Sequence, residues 1–128
     1  MAKILVIEDN HHNLQLARVV LEHAAHQVST ATDAVQGLAI ARTELPDLVL
    51  MDIQMPGMDG LDATRALRRD PQTAGLRVLA LTGLAMSGDE QRILAAGCDG
   101  YITKPYDYRG LLDKVAALLA QPPRSTAG

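Results

Sequence analysis

Four apolar runs in this chain are each followed at once by residues that could do polar chemistry. Glu8 and Asp9 follow the first, Asp52 the second, Thr82 and Gly83 the third, and Lys104 and Pro105 the fourth. Brought together, these give three carboxylates, one hydroxyl and one ammonium. Taken singly, each has a bland reading. An aspartate at the end of a strand usually caps the next helix, and a lone loop lysine or turn threonine is usually solvated. If each of five positions carried its functional residue type by chance about one time in ten, all five would coincide about once in 100,000 sequences. The coincidence outweighs the bland reading.

Gathering carboxylates has a cost. Two unit charges about 5 Å apart repel by roughly 3 kcal/mol at an effective dielectric near 20. A bound divalent cation is the simplest reason for such a cluster to exist. Carboxylate and carbonyl oxygens with several waters suit Mg²⁺. The single cysteine, Cys98, and the four histidines stand elsewhere in the pattern, which argues against zinc. A carboxylate can attack a phosphoryl group once the charge on the phosphoryl oxygens is neutralised, and a metal and a lysine ammonium both do this. The Thr82 hydroxyl and the backbone amides of the adjoining turns, at Ile53, Gln54 and Gly83, can hydrogen-bond the remaining oxygens.

The elements that must position these residues follow from periodicity. Residues 3–8 (KILVIE), 47–51 (DLVLM) and 77–81 (RVLAL) are continuous, largely β-branched or apolar runs, the pattern of strands covered on both faces. Gln27–Ala31 and residues 101–103 read as two weaker strands. Between them lie helical spacings: Leu14, Ala17, Leu21 and Ala24; then Val35, Leu38 and Ala41 behind a capping Asp33. Helices also fit residues 61–69, with basic residues in the last turn, and 107–120, with Leu111, Leu112, Val115, Leu118 and Leu119 on one side. Ser87 and Glu90 form a capping-box pattern ahead of Ile93, Leu94 and Ala95, and Gly97 is a helix stop. Five strands alternating with five helices predict a parallel sheet with helices on both faces. Such sheets bind ligands at the carboxyl ends of their strands, where the chemistry-bearing residues stand.

Bulk properties narrow the function further. The length of 128 residues is that of one ordinary domain; residues 1–120 are expected to form it and 121–128 (QPPRSTAG) to be a flexible tail. With no Phe or Trp and only three Tyr, the core has to be built from Leu, Val, Ile, Met and Ala. A net charge of −3 offers no footprint for a nucleic-acid backbone, and no apolar run is long enough to span a membrane. One cysteine excludes an intrachain disulfide, and the expected compartment is the cytoplasm.

Together the motifs IEDN (residues 7–10), LVLMDIQMPGMDG (48–60), LALTG (79–83) and AAGCDGYITKP (95–105) resemble the receiver domains of two-component response regulators, over about residues 3–120. The resemblance implies a three-layer, flavodoxin-like (βα)5 doubly wound sheet with strand order 2-1-3-4-5. It implies that Asp52 is the phosphoacceptor and that Asp9, Asp52 and the backbone carbonyl of Gln54 bind Mg²⁺, with Glu8 acting through metal-bound water. Lys104 would pair with Asp52 before reaction and with the phosphoryl group afterwards, and the Lys104–Pro105 peptide would be cis. Thr82 and Tyr101 would be the switch pair, remodelling a protein-binding surface on phosphorylation.

The implied partners are a histidine kinase or histidine phosphotransfer protein upstream and a target protein downstream. The only chemistry expected is on the protein itself, phosphotransfer and autodephosphorylation. Leu84 cannot orient a water, so the phosphoryl lifetime is expected to be minutes or longer; Gly83 replaces a more usual alanine.

Other features have plainer readings. His11 and His12 diverge at a helix start and suit a docking surface better than a metal. His23 and His26 read as surface residues, Cys98 as core, the Met55–Met58 turn as loop packing, and Tyr106 and Tyr108 as contact residues. A flavin or nucleotide binder of the same fold would need a phosphate loop where Glu8 and Asp9 stand. An aspartyl phosphatase would need a general acid where Gln54 stands. A receiver-shaped scaffold that signals without phosphorylation would not need the acidic cluster, Thr82 and Lys104.

Overall fold

The computed structural model describes residues 2–83 and 89–122. The order is β1 (Lys3–Ile7), α1 (His11–His23), β2 (Gln27–Ala31), α2 (Ala34–Glu44), β3 (Leu48–Asp52), α3 (Gly60–Arg69), β4 (Arg77–Thr82), α4 (Asp89–Ala95), β5 (Gly100–Thr103) and α5 (Tyr108–Ala120). The strands form one sheet in the order β2-β1-β3-β4-β5, and every paired neighbour is parallel. The order reverses beside β1, which has β2 on one side and β3 on the other.

Alternation along each strand divides the core in two. Ile4 and Val6, Leu48 and Leu50, and Leu79 and Leu81 face α1 and α5, where they meet Leu14, Ala17, Leu21, Leu111, Val115 and Leu118. Leu5 and Ile7, Val49 and Met51, and Val78 and Ala80 face α2, α3 and α4, where they meet Leu38, Ala41, Leu61, Leu67 and Ile93. The result is three layers with an almost wholly aliphatic interior.

Short polar caps start the helices. Asn10, Asp33, Asp59 and Asp107 accept from the backbone N–H of Asn13, Gln36, Asp62 and Gly110 respectively. Helix α2 stops at Leu45, which takes the left-handed conformation (φ 47°) just ahead of Pro46. Gly97, at φ 109°, ends the turn after α4 as expected.

Several expectations need correction. Val35 is 70% exposed, because the face of α2 that meets the sheet is Ala34, Gly37, Leu38 and Ala41. Ala24 is the exposed C-cap of α1 and no part of its buried stripe. His26 is half-buried, and its Nδ1 accepts from the Ala2 N–H at 3.2 Å. Ser87 lies outside the described residues.

Arg68 does more than complement the end of a helix. Its guanidinium donates to the carbonyls of Ala74, Leu76 and Gly97 and to the Asp99 carboxylate, which in turn accepts from Val78 N–H at 2.8 Å. One side chain thereby ties α3 to both turns flanking β4 and β5.

Candidate functional site

The register positions the acidic residues. Ile7 of β1 lies opposite Met51 of β3, so the next residue of each, Glu8 and Asp52, emerge side by side at the carboxyl edge. On the far side of β3, Asp52 pairs with Leu81, one residue before Thr82. Thr82 is level with Thr103, which puts Lys104 at the same edge. Oxygens of Glu8, Asp9 and Asp52 all lie within 4.8 Å of one another. Glu8 and Asp52 are buried and Asp9 is exposed.

The Lys104 ammonium reaches into this cluster. Its Nζ lies 3.0 and 3.2 Å from the Glu8 oxygens and 3.3 Å from Asp52 Oδ2. The expected Lys104–Asp52 pair is present, but Lys104 holds Glu8 more closely. Glu8 also accepts from Asn13 Nδ2 at 3.3 Å, a partner that the sequence motifs do not point to. The other oxygen of Asp52, Oδ1, accepts from the Gln54 N–H at 2.9 Å.

Thr82 is buried at the end of β4, and the Lys104–Pro105 peptide is cis. Tyr101 is half-buried against the α2–α4 side of the core. The Ile53 N–H continues the sheet ladder to the Leu81 carbonyl at 3.1 Å. Gly83 N–H is engaged by the Gln54 side chain at 3.1 Å. Leu84 lies outside the described residues.

Gly60 matters in a way its place at the end of a turn did not announce. A Cβ there would collide with the Asp52 carbonyl oxygen and stand 2.7 Å from Ile53 Cα. The start of α3 therefore rests directly on the backbone that carries Asp52.

The electrostatics follow the geometry. Burial raises the Asp52 pKa above its ordinary value, and the neighbouring Glu8 adds to the rise; the Gln54 amide and Lys104 pull the other way. Asp9 is raised as well, by burial first and then by its hydrogen bond with, and the charge of, Asp52. Burial and the charges of Glu8 and Asp52 push the Tyr106 phenol up to about 12, so it is neutral at physiological pH. Three carboxylates and one ammonium leave two negative charges on an all-oxygen donor set, which fits one hard divalent cation.

The folded state binds the Asp52 proton more tightly than the unfolded chain does. Stability is therefore lost as pH rises from the ordinary value of 3.8 through the raised one. Asp52→Asn should stabilise the apo fold at pH 7 by on the order of 1 kcal/mol, about 3–5 °C in Tm, and the gain should vanish in acid. Thermal melts of both proteins in chelator across pH check this; equal melting at pH 7 contradicts it.

Beside the acidic edge, a cleft of about 470 Å³ is lined by His12, Asn13, Leu16, Lys104, Pro105 and Tyr106. It shares Leu16 and Tyr106 with a second, more apolar hollow of about 240 Å³ that runs between α1 and α5. Leu16 is 49% exposed. Among the described residues, no helix is long and apolar enough to cross a membrane.

Known proteins resemble this arrangement in sequence and in shape. The polar-differentiation response regulator DivK of Brucella anthropi is 35% identical over 116 residues, 91% of this chain and 94% of that protein. The chemotaxis protein CheY4 of Vibrio cholerae superposes with a TM-score of 0.88 at 30% identity, covering 92% of this chain and 98% of that one. The receiver domain of the Pseudomonas aeruginosa sensor histidine kinase PA1611, solved with a magnesium ion coordinated in its active-site cleft, gives 0.87 at 29% identity, covering 94% and 98%. The response regulator receiver domain family matches residues 4–116, from β1 into α5. On that match the chain belongs to the response regulator receiver domains, the phosphoacceptor modules of two-component signalling.

Proposed function

We propose that Asp52 is the phosphoacceptor and that Glu8, Asp9, Asp52 and the backbone carbonyl of Gln54 hold Mg²⁺. The observation that carries this reading is the Lys104 ammonium lying between Glu8 and Asp52 at 3.0 and 3.3 Å, beside a third carboxylate. When bound, Mg²⁺ supplies positive charge against the phosphoryl oxygens. An Asp52 carboxylate oxygen attacks phosphorus; the bond to the donor's imidazole nitrogen breaks, and that nitrogen keeps the electron pair. Gln54 N–H keeps Asp52 Oδ1 in place, and Lys104 exchanges its carboxylate partners for a phosphoryl oxygen. The Thr82 hydroxyl takes another oxygen, and Thr82 with Tyr101 carries the change to the output surface.

The donor is a histidine kinase or a histidine phosphotransfer protein. The cleft beside Lys104, with exposed Leu16 and His12 on its wall, gives such a donor an apolar footing next to the acidic edge. The output is contact with a downstream protein. Residues 1–120 form the receiver, and the protein works in the cytoplasm; of the expected tail at 121–128, residues 123–128 lie outside the described residues. Gln54 stands where an aspartyl phosphatase would place its acid, so external phosphate esters are not turned over steadily.

Acetyl phosphate with Mg²⁺ should load one hydroxylamine-labile phosphoryl group per chain, and chelator should prevent it. Loading that ignores chelator, or steady hydrolysis of generic phosphate esters, would contradict the proposal.

A further inference from the structure

We propose that the Gln54 side chain is a latch that closes the phosphoryl-binding amide of Gly83 in the resting protein. This rests on the reading of Asp52 as the acceptor. Gln54 engages the site twice: its backbone N–H holds Asp52 Oδ1 at 2.9 Å, and its side-chain Oε1 accepts from Gly83 N–H at 3.1 Å. The second bond occupies a donor that the incoming phosphoryl oxygens need. A charged phosphoryl oxygen is the stronger acceptor and displaces the neutral amide carbonyl once transfer is under way, but the bond has to open first.

The missing side chain at position 83 is what admits the latch. A Cβ on Gly83 would lie 2.9 Å from Gln54 Oε1, closer than real side-chain contacts allow. Among the described residues it would meet no other heavy atom within 4 Å except Gln54 Cδ, at 4.0 Å. Gly83 does not occupy the left-handed region, so an alanine there is free of backbone strain and acts only by pushing Gln54 away. Both residues are exposed, and both substitutions leave the core untouched.

The test compares wild type, Gln54→Ala, Gly83→Ala and the double variant. It follows loading by acetyl phosphate at saturating Mg²⁺ by intact mass, and the amide proton at position 83 by NMR. One net hydrogen bond predicts that each single variant loads about twofold to tenfold faster than wild type. The double variant should be no faster than the quicker single one, and the amide signal should move in both singles. Singles that load no faster while Asp52 is still phosphorylated, gains that multiply in the double variant, or an amide signal indifferent to Gln54→Ala would each overturn the latch. A wild type that takes up no phosphoryl group would remove the acceptor reading, and the latch's role with it, whatever the amide shows.

Discussion

Lys104→Ala should slow phosphorylation of the protein by roughly 10²–10³-fold, the usual cost of removing one preorganised positive donor from a phosphoryl or oxyanion site. The same change should bind Mg²⁺ more tightly. Lys104 now offsets one of the three carboxylate charges, and without it the cluster presents three negative charges to the ion instead of two. In chelator the variant should also be less stable, by about 2 kcal/mol. Glu8 is 1% exposed and would lose its cation; the figure is discounted from the full cost of breaking a buried pair because the lysine end is reached by water. Loading rates, Mg²⁺ titrations and urea unfolding measure the three effects separately. A variant slower in loading but weaker in Mg²⁺ binding would show that Lys104 supports the metal site and does not compete with it.

Gly60→Ala should be the most damaging single-methyl change at the site. The added Cβ meets backbone, the Asp52 carbonyl and Ile53 Cα, so it cannot be accommodated by turning a side chain aside. Overpacking of this kind costs about 1–3 kcal/mol, and here the displaced atoms carry the acceptor. Both unfolding free energy and loading rate should fall. The same substitution at Gly57, at φ 76° with nothing within 4 Å of a Cβ, should cost only backbone strain and spare the chemistry. Equal loading by Gly60→Ala and wild type would contradict the claim that α3 seats Asp52.

The strands and the chemistry at their ends were open to reading because both rest on local rules. Continuous apolar runs mark β1, β3 and β4, and a polar residue directly after each has to land on the carboxyl edge of a parallel sheet. Val35 is exposed although residues 35, 38 and 41 fit a helical spacing as well as 34, 38 and 41 do; only the angle at which α2 meets the sheet separates them. His26, Asn13 and Arg68 were missed for a different reason. Their partners are Ala2 across the β1–β2 edge, Glu8 one turn before the helix, and carbonyls up to 29 residues away, contacts that no spacing encodes. Adjacent amides after a strand are equivalent in sequence, and only the ladder decides that Ile53 is the one that continues to Leu81. The Gln54–Gly83 contact was hidden in the same way, since it spans two loops.

The central claim is that one aspartate, held beside Lys104 and two further carboxylates, takes the phosphoryl group. Peptide mapping by mass spectrometry after exposure to a phosphohistidine donor or acetyl phosphate with Mg²⁺ tests it most directly. Wild type should carry the added phosphoryl group on Asp52 and nowhere else, and Asp52→Ala should stay unmodified while remaining folded. A label on another residue, or equal labelling of the Asp52→Ala protein, would contradict the account.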